Sequence, residues 1–287
     1  MKYDVCIVGS GPAAVSAALT LKLHNKSIIW FGSKGISPKV EKSEMIANYP
    51  GVAMVKGPEL NRLYREQIEW AGLEITERQV TNISSSRRGF MVLGGNDIYD
   101  AKTVLLATGS VAAKGFPGEA ELLGHGVSYC ATCDGFLYPG KTIAIFCGSK
   151  EFEHEVMYLA EIAAKVYLFT GYGEPEASRE NIEVNPGRLK RVLGEESVTG
   201  VELTDGTDLP VDGVFVLRPS VAPALLVKGL EMNGADIVVD RHMRTNKPGV
   251  FAAGDCTGRP YQLAKAVGEG NIAAHAIVEY LAEKEKQ

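Results

Sequence analysis

The sequence predicts an α/β fold of two doubly wound, three-layer domains, the second inserted into the first. Three observations carry that reading. An apolar, β-prone run at residues 3–8 leads into Gly9-Ser10-Gly11-Pro12-Ala13-Ala14 and then an alanine-rich helical run to Leu23, the strand, turn and helix of a dinucleotide cradle. A second apolar run, residues 141–146, is likewise a glycine-ended strand and hints at a duplicated, Rossmann-like nucleotide-binding unit. The pattern breaks at Gly115-Phe116-Pro117-Gly118 and resumes near Thr245, which assigns 1–116 and 245–287 to the first domain and 117–244 to the insertion. A chain of 287 residues with 45% hydrophobic side chains can fill two such cores.

In the first motif Gly9 makes the turn, Gly11 admits a backbone approach to pyrophosphate, and Ala14 packs helix on strand. Pro12 and Ala13 complete the candidate cradle. The second strand, 27–31, runs into Gly32-Ser33-Lys34 without the acid that holds a ribose, and Glu41 and Glu44 stand as alternatives. Residues 58–71 read as an amphipathic helix with Leu60, Leu63, Tyr64 and Ile68 on one face, and Glu59, Arg62, Glu66 and Glu69 on its solvated side. Strands are expected at 74–76, 90–93 and 98–107, separated by turn-like residues 84–89 and 94–96. The last of them ends on Ala107-Thr108-Gly109, and a further strand over 249–253 ends on Gly254-Asp255. The closing helix, 262–283, buries Leu263, Val267, Ile272, Ile277 and Leu281 before a charged tail.

The stretch with chemistry in it is Cys130-Ala131-Thr132-Cys133-Asp134-Gly135. Two thiols at that spacing can close a small disulfide or bind zinc. A structural zinc site needs four ligands and usually a second pair, which the chain lacks, so no metal is expected. A redox dithiol is the leading reading, with two packed cysteines as the alternative. A dithiol that cycles must gain and lose protons, and Asp134 stands next to it to supply them.

Composition narrows the setting. A formal charge of −5 offers nothing to nucleic acid. No run of about 18 apolar residues occurs and the amino terminus reads as a strand, so neither a membrane span nor a secretory leader is expected. Five cysteines with one close pair make no disulfide framework, which suits a reducing, cytoplasmic compartment.

Taken together, the glycine turn, the Ala107-Thr108-Gly109 and Gly249–Asp255 stretches, Asn48-Tyr49-Pro50-Gly51, the dithiol with Asp134, and Tyr261-Gln262-Leu263-Ala264 resemble the low-molecular-weight thioredoxin reductases, within the flavoprotein disulfide reductases. The resemblance covers nearly the whole chain. It implies FAD, with Asp255 after Gly254 holding the ribityl chain and backbone amides around Gln262 and Leu263 facing the isoalloxazine at a helix N-terminus. Asn48, Thr108, Gly109 and Ala264 join the cofactor site by the same match. It further implies that Cys133 faces the flavin, that Asp134 handles the proton, and that Cys130 attacks the thioredoxin disulfide. A homodimer follows from the family alone. Because one dithiol cannot touch flavin and partner at once, a rotation of the insertion about 114–118 and 243–248 is implied.

The inserted domain departs from that pattern. Where a thioredoxin reductase of ordinary type binds NADPH, the three positions that must be small are Cys147, Ser149 and Phe152, and a phenylalanine there should fill the site. Glu151, Glu153 and Glu155 place negative charge where phosphates would lie. The strand at 165–169 runs into Thr170-Gly171-Tyr172-Gly173-Glu174-Pro175, without the arginine that partners a phosphate monoester. Relatives with this pattern are the ferredoxin-dependent flavin thioredoxin reductases. The resemblance therefore implies ferredoxin as electron donor, with flavodoxin as an alternative carrier, and thioredoxin as acceptor. Lys22, Lys26, Lys34, Lys39 and Lys42, against Glu41, offer a basic face to an acidic carrier. Two rival readings remain: an unusual NADPH mode, and a flavin-bound redox sensor that does not turn over.

Overall fold

A computed structural model describes residues 2–109, 115–129, 131–218 and 223–286. The chain forms two compact units, Met1–Ala113 with Ala222–Gln287, and Lys114–Val221. Both are α/β units of the doubly wound kind.

The first unit opens with β1 (Lys2–Val8), α1 (Pro12–Leu23), β2 (Ile28–Phe31), the short α2 (Pro38–Glu41) and α3 (Gly57–Trp70). β3 (Val80–Ser86), β4 (Gly89–Gly94) and β5 (Asp97–Leu106) follow. Strands β2, β1 and β5 run parallel, with the C-terminal halves of β1 and β5 buried; β4 and β3 extend the sheet antiparallel, in the order β2-β1-β5-β4-β3.

Two sequence expectations change here. The expected strand at 74–76 is a single bridge from Thr76 to Phe31, while 80–86, expected to run into a turn at 84, is a full hairpin partner of β4 that turns at Arg87-Arg88. Val80 and Ile83 are buried on its inner side, and this anchoring outweighs the loop-like composition of the serines.

In the second unit β6 (Val127–Ser128) leads to α4 (Ala131–Asp134), then β7 (Thr142–Cys147), α5 (Glu153–Ile162), β8 (Lys165–Thr170) and β9 (Ile182–Val184). β10 (Leu189–Leu193), β11 (Gly200–Leu203) and β12 (Asp208–Pro210) form a separate antiparallel sheet, and β13 (Gly213–Leu217) returns to the main one. That main sheet is parallel throughout, in the order β6-β13-β7-β8-β9. Its core gathers Ile143, Ile145, Val156, Leu159, Val166, Leu168 and Phe215.

The return to the first unit comes at Ala222, not near Thr245. The intervening segment carries α6 (Pro223–Leu226) and the two-residue strands β14 (Met232–Asn233) and β15 (Asp236–Ile237). Leu226, Val227 and Leu230 are buried, Val227 bridges Ile83 of β3, and Asn246 holds the Gly229 carbonyl and the Glu231 amide. Residues 243–248 therefore lie inside the first unit rather than at a crossing between units. The chain ends with β16 (Val250–Ala252), parallel to β5, and α7 (Leu263–Glu285). None of the described helices is long and apolar enough to cross a membrane.

Candidate active site

The glycine turn after β1 has a different physical reason at each position. Gly9 has φ +112°, and a Cβ there would overlap the Ala107 carbonyl oxygen at the end of β5, so only glycine fits. Gly11 faces open space, with nothing within 4 Å of the place a Cβ would occupy. It caps α1, whose first turn carries Pro12 and no acid, so the positive end of the helix dipole meets no carboxylate of its own. Ala13 and Ala14 are buried, but Ala13 serves a further purpose: Gly270 of α7 sits so close that a Cβ on it would overlap the Ala13 carbonyl oxygen. The small residues thus bring α1 and α7 together as well as seating helix on sheet.

Open space at Gly11, a free helix N-terminus and left-handed Gly109 (φ +71°) after Thr108 fit the pyrophosphate end of FAD. Glu41, one of the two candidate ribose acids, accepts from Asn61 Nδ2 at 2.6 Å. The acid at the exit of β2 is instead Glu77, which accepts from the Lys34 amide at 3.1 Å; the Phe31–Thr76 bridge carries it there.

Gly254 (φ +88°) and Asp255 lie beside this turn: a Cβ on Gly254 would come within 3.0 Å of the Ala13 side chain. The Gly254 amide donates to Glu269 at 2.8 Å, and Lys265 Nζ donates to the Gly254 and Gly258 carbonyls, both at 2.8 Å. Lys265 and Glu269 also pair with each other at 3.1 Å. Sequence reasoning missed this brace, although the two stand one turn apart on the helix that follows the loop. Asp255 accepts from Lys39 Nζ at 2.6 Å. Asn48 Nδ2 donates to Gln262 Oε1 at 3.0 Å, which joins two candidate residues 214 positions apart. Gln262, Leu263 and Ala264 open α7, whose first turn also lacks an acid.

Cys130 lies outside the described residues, as does the side chain of Cys133; α4 carries Cys133 and Asp134. Asp134 Oδ2 accepts from Ser128 Oγ at 2.6 Å. Immediately beyond, Phe136 and Leu137 are 65% and 50% exposed, an apolar pair beside the dithiol segment that sequence reasoning also missed. A further missed residue is Glu119, fully buried, which accepts from Tyr129 Oη at 2.8 Å, from the Phe116 amide at 2.7 Å and from Arg218. The other cysteines, Cys6, Cys147 and Cys256, are buried free thiols; burial pushes all three upward, Cys256 to about 11, which makes them poor nucleophiles.

The turn after β7 is fastened by its own chain. Cys147 is buried with Sγ 3.3 Å from the Ser149 carbonyl, and Phe152 packs against the core of the unit. Glu153 Oε1 accepts from Tyr172 Oη at 2.7 Å, and Oε2 accepts from the amides of Glu176 (2.9 Å) and Ala177 (2.7 Å). Burial pulls its carboxyl upward, but those bonds outweigh burial and hold it below the usual range. Gly171 donates to the Cys147 carbonyl at 2.9 Å, and Lys150 pairs with Glu176 at 2.9 Å. The loop after β8 is in this way fastened onto the start of α5. Glu155, expected to face a phosphate position, turns elsewhere: Oε2 accepts from the Ala131 amide of α4 at 3.4 Å.

The sequence profile of the pyridine nucleotide-disulphide oxidoreductases matches residues 3–149 and 170–270. The chain is 33% identical to the thioredoxin reductase of Treponema pallidum over 298 residues, 97% of each chain. A crystal structure of a ferredoxin-flavin thioredoxin reductase from Clostridium acetobutylicum matches all of both chains at 41% identity and a TM-score of 0.89. A thioredoxin reductase from Gloeobacter violaceus matches at 32% identity and a TM-score of 0.76, over 99% of this chain and 95% of that one.

Proposed function

The chain belongs to the pyridine nucleotide-disulphide oxidoreductases as an FAD-binding disulfide reductase of thioredoxin reductase type, and from that premise we propose that it draws its electrons from reduced ferredoxin and passes them to thioredoxin. The observation that carries the choice of donor is the Glu153 clasp. A pyridine nucleotide would need its pyrophosphate at the turn after β7 and its adenosine along the loop after β8. Along that course Phe152 and Tyr172 pack against the core of the unit, and Glu153 ties the loop down through three hydrogen bonds. The similarity to the Clostridium acetobutylicum enzyme supports the same reading.

FAD, when bound, supplies a carrier that takes up electrons singly and delivers them as a pair. Gly9, Gly11, Pro12, Ala13 and Ala14 would hold its pyrophosphate, with Thr108 and Gly109 beside them. Asp255, Asn48, Gln262, Leu263 and Ala264 would hold its flavin half. Cys130 attacks the thioredoxin disulfide, Cys133 closes the ring by displacing the partner sulfur, and Asp134 moves a proton. The exposed Phe136 and Leu137 give a partner protein an apolar seat next to the dithiol.

The basic face for an acidic carrier is narrower than the lysine count suggests. Lys39 pairs with Asp255 and Lys34 lies 3.7 Å from Glu77, which leaves Lys22 and Lys42 as exposed charges of the set and Lys26 as a partly buried one. The test is an anaerobic titration of the flavoprotein, watched through the flavin absorbance, with NADPH and then with reduced ferredoxin. Bleaching by ferredoxin alone is expected. Bleaching by sub-millimolar NADPH overturns the assignment of donor.

A further inference from the structure

We infer that the outer face of the hairpin formed by residues 43–57 is the seat on which an acidic electron-carrier protein docks. The inference rests on the ferredoxin reading above and names the surface that reading needs. Three backbone bonds build the hairpin: the Gly57 amide donates to the Ser43 carbonyl at 2.9 Å, and Ile46 and Val55 exchange amide bonds at 2.8 and 3.0 Å. Gly57 lies so close to α2 that a Cβ there would overlap the Val40 carbonyl oxygen. Ile46 and Val55 join Val40 in the core of the unit. Side chains alternate along an extended pair, so the residues flanking these two turn outward. Met45 and Met54 are accordingly 47% and 68% exposed, and Lys56 is exposed beside them.

The packing of the unit gives no reason for methionine at these places. Met54 holds φ +38°, in the left-handed region that glycine favours, and its side chain gains no burial in return. Long, polarisable methionine side chains on a surface adapt to the shape of a partner protein. The same segment is tied to the residues proposed for the flavin half. Asn48 donates to Gln262, and Lys39 Nζ bonds Asp255 while lying 4.8 Å from the centre of the Tyr261 ring. The Arg259 guanidinium lies 5.3 Å from that ring, and Tyr261 is 38% exposed. A carrier seated on Met45, Met54 and Tyr261 is therefore placed against the candidate flavin residues.

Charge selects the kind of partner. The chain carries −5 overall, yet Lys42, Lys56 and Arg259 are exposed at the edge of this apolar seat, and among the described residues none of the three is ion-paired. The neighbouring acids are mostly engaged: Asp255 with Lys39, Glu41 with Asn61 and Glu59 with Arg62. That leaves Glu44 exposed and Asp236, beside Gly258, half-buried. Exposed, unpaired charge at the seat is thus predominantly positive. An apolar centre with cations at its rim suits a protein whose acidic residues surround its own contact surface.

The test mixes the full-length flavoprotein with reduced ferredoxin in anaerobic stopped flow and follows flavin bleaching against ionic strength. For the wild type the second-order rate constant should fall as salt rises. In the triple variant Lys42→Ala, Lys56→Ala, Arg259→Ala it should be about tenfold lower at low salt and nearly independent of salt. Met45→Ser with Met54→Ser should slow it about tenfold while the salt dependence persists. Reduction by dithionite and the melting temperature should match the wild type in both. A second readout needs no variant, and decides the matter should a variant misfold: oxidised ferredoxin should slow the conversion of Met45 and Met54 to sulfoxides by peroxide, read by mass spectrometry. Wild-type rates in both variants, a charge variant that keeps the full salt dependence, or sulfoxide formation indifferent to ferredoxin each overturns the inference. The two levels separate cleanly. Ferredoxin that never bleaches the wild-type flavin sinks the donor reading, whereas wild-type bleaching that both variants leave unchanged sinks only the docking surface.

Discussion

Replacing Glu153 by alanine tests how firmly the loop after β8 is fastened to the start of α5. The substitution strips three donors of one acceptor: the Tyr172 hydroxyl and the amides of Glu176 and Ala177. A hydrogen bond to a buried charged acceptor contributes about 1.5–3 kcal/mol. Glu153 is half-exposed and water can replace it in part, so about 1 kcal/mol per bond is the better figure, or about 3 kcal/mol in all. At about 1.4 kcal/mol per tenfold, the loop after β8 should open roughly a hundredfold more often. Native-state hydrogen exchange reads this directly. Protection of the Glu176 and Ala177 amides should drop by that factor, while amides inside β7 stay as protected as before.

The pH dependence has a definite sign. The folded carboxyl titrates below its ordinary value of 4.5, so the unfolded state binds the proton more tightly. The stabilisation is complete above 4.5 and is lost as pH falls below that through the folded value; the variant should show no such loss. Unchanged protection in Glu153→Ala would refute the clasp. NADPH should still fail to bleach the variant's flavin, because Phe152 stays where the cradle needs a small residue.

Other substitutions probe the remaining parts. Gly11→Ala adds its methyl to open space and should leave the melting temperature near wild type while the flavin content per mole of protein falls. Gly270→Ala should do the reverse, costing at least about 2–3 kcal/mol by overpacking against the Ala13 carbonyl, read as a lowered urea midpoint. Glu119→Ala leaves Arg218 and Tyr129 without their shared acceptor in a buried site and should cost about 3–5 kcal/mol in the same assay. Iodoacetamide at neutral pH should reach Cys6, Cys147 and Cys256 only after denaturation; rapid labelling of any of them in the native protein would contradict their burial.

How much of this was legible beforehand varies with the range over which the cause acts. Strand-turn-helix patterning is local, so β1, the glycine turn, α1, α3 and the extent of α7 read correctly from sequence, although Ile272 of α7, expected in the core, is exposed. The hairpin β3–β4 did not, because Ser84 to Ser86 have turn composition and are held in a strand by the buried Val80 and Ile83 of the same strand. The return point at Ala222 was missed for a related reason: Leu226, Val227 and Leu230 are ordinary apolar residues, and nothing in their order says which core they enter. Asn48 and Gln262 were each singled out, yet their mutual bond depends on 214 residues of intervening chain. Glu119 was invisible, since a lone acid after a Pro-Gly turn reads as surface until its partners Tyr129 and Arg218 are placed.

On the proposed choice of donor, the acids at the start of α5 explain how a domain of dinucleotide-binding type keeps its shape without a coenzyme. A helix that presents its N-terminus to a pyrophosphate must leave that end free of negative charge, and α1 does so. In α5 the acids Glu153 and Glu155 are two positions apart, about 200° around the helix, and they reach opposite sides. One fastens the loop after β8; the other meets the amide that follows Cys130. The orphan donors and surfaces that a dinucleotide would otherwise organise are taken up by the chain itself. The strand and helix frame is thereby kept. Restoring a nucleotide site by removing Phe152 alone should accordingly fail, because the clasp and the dithiol contact both draw on the same helical turn.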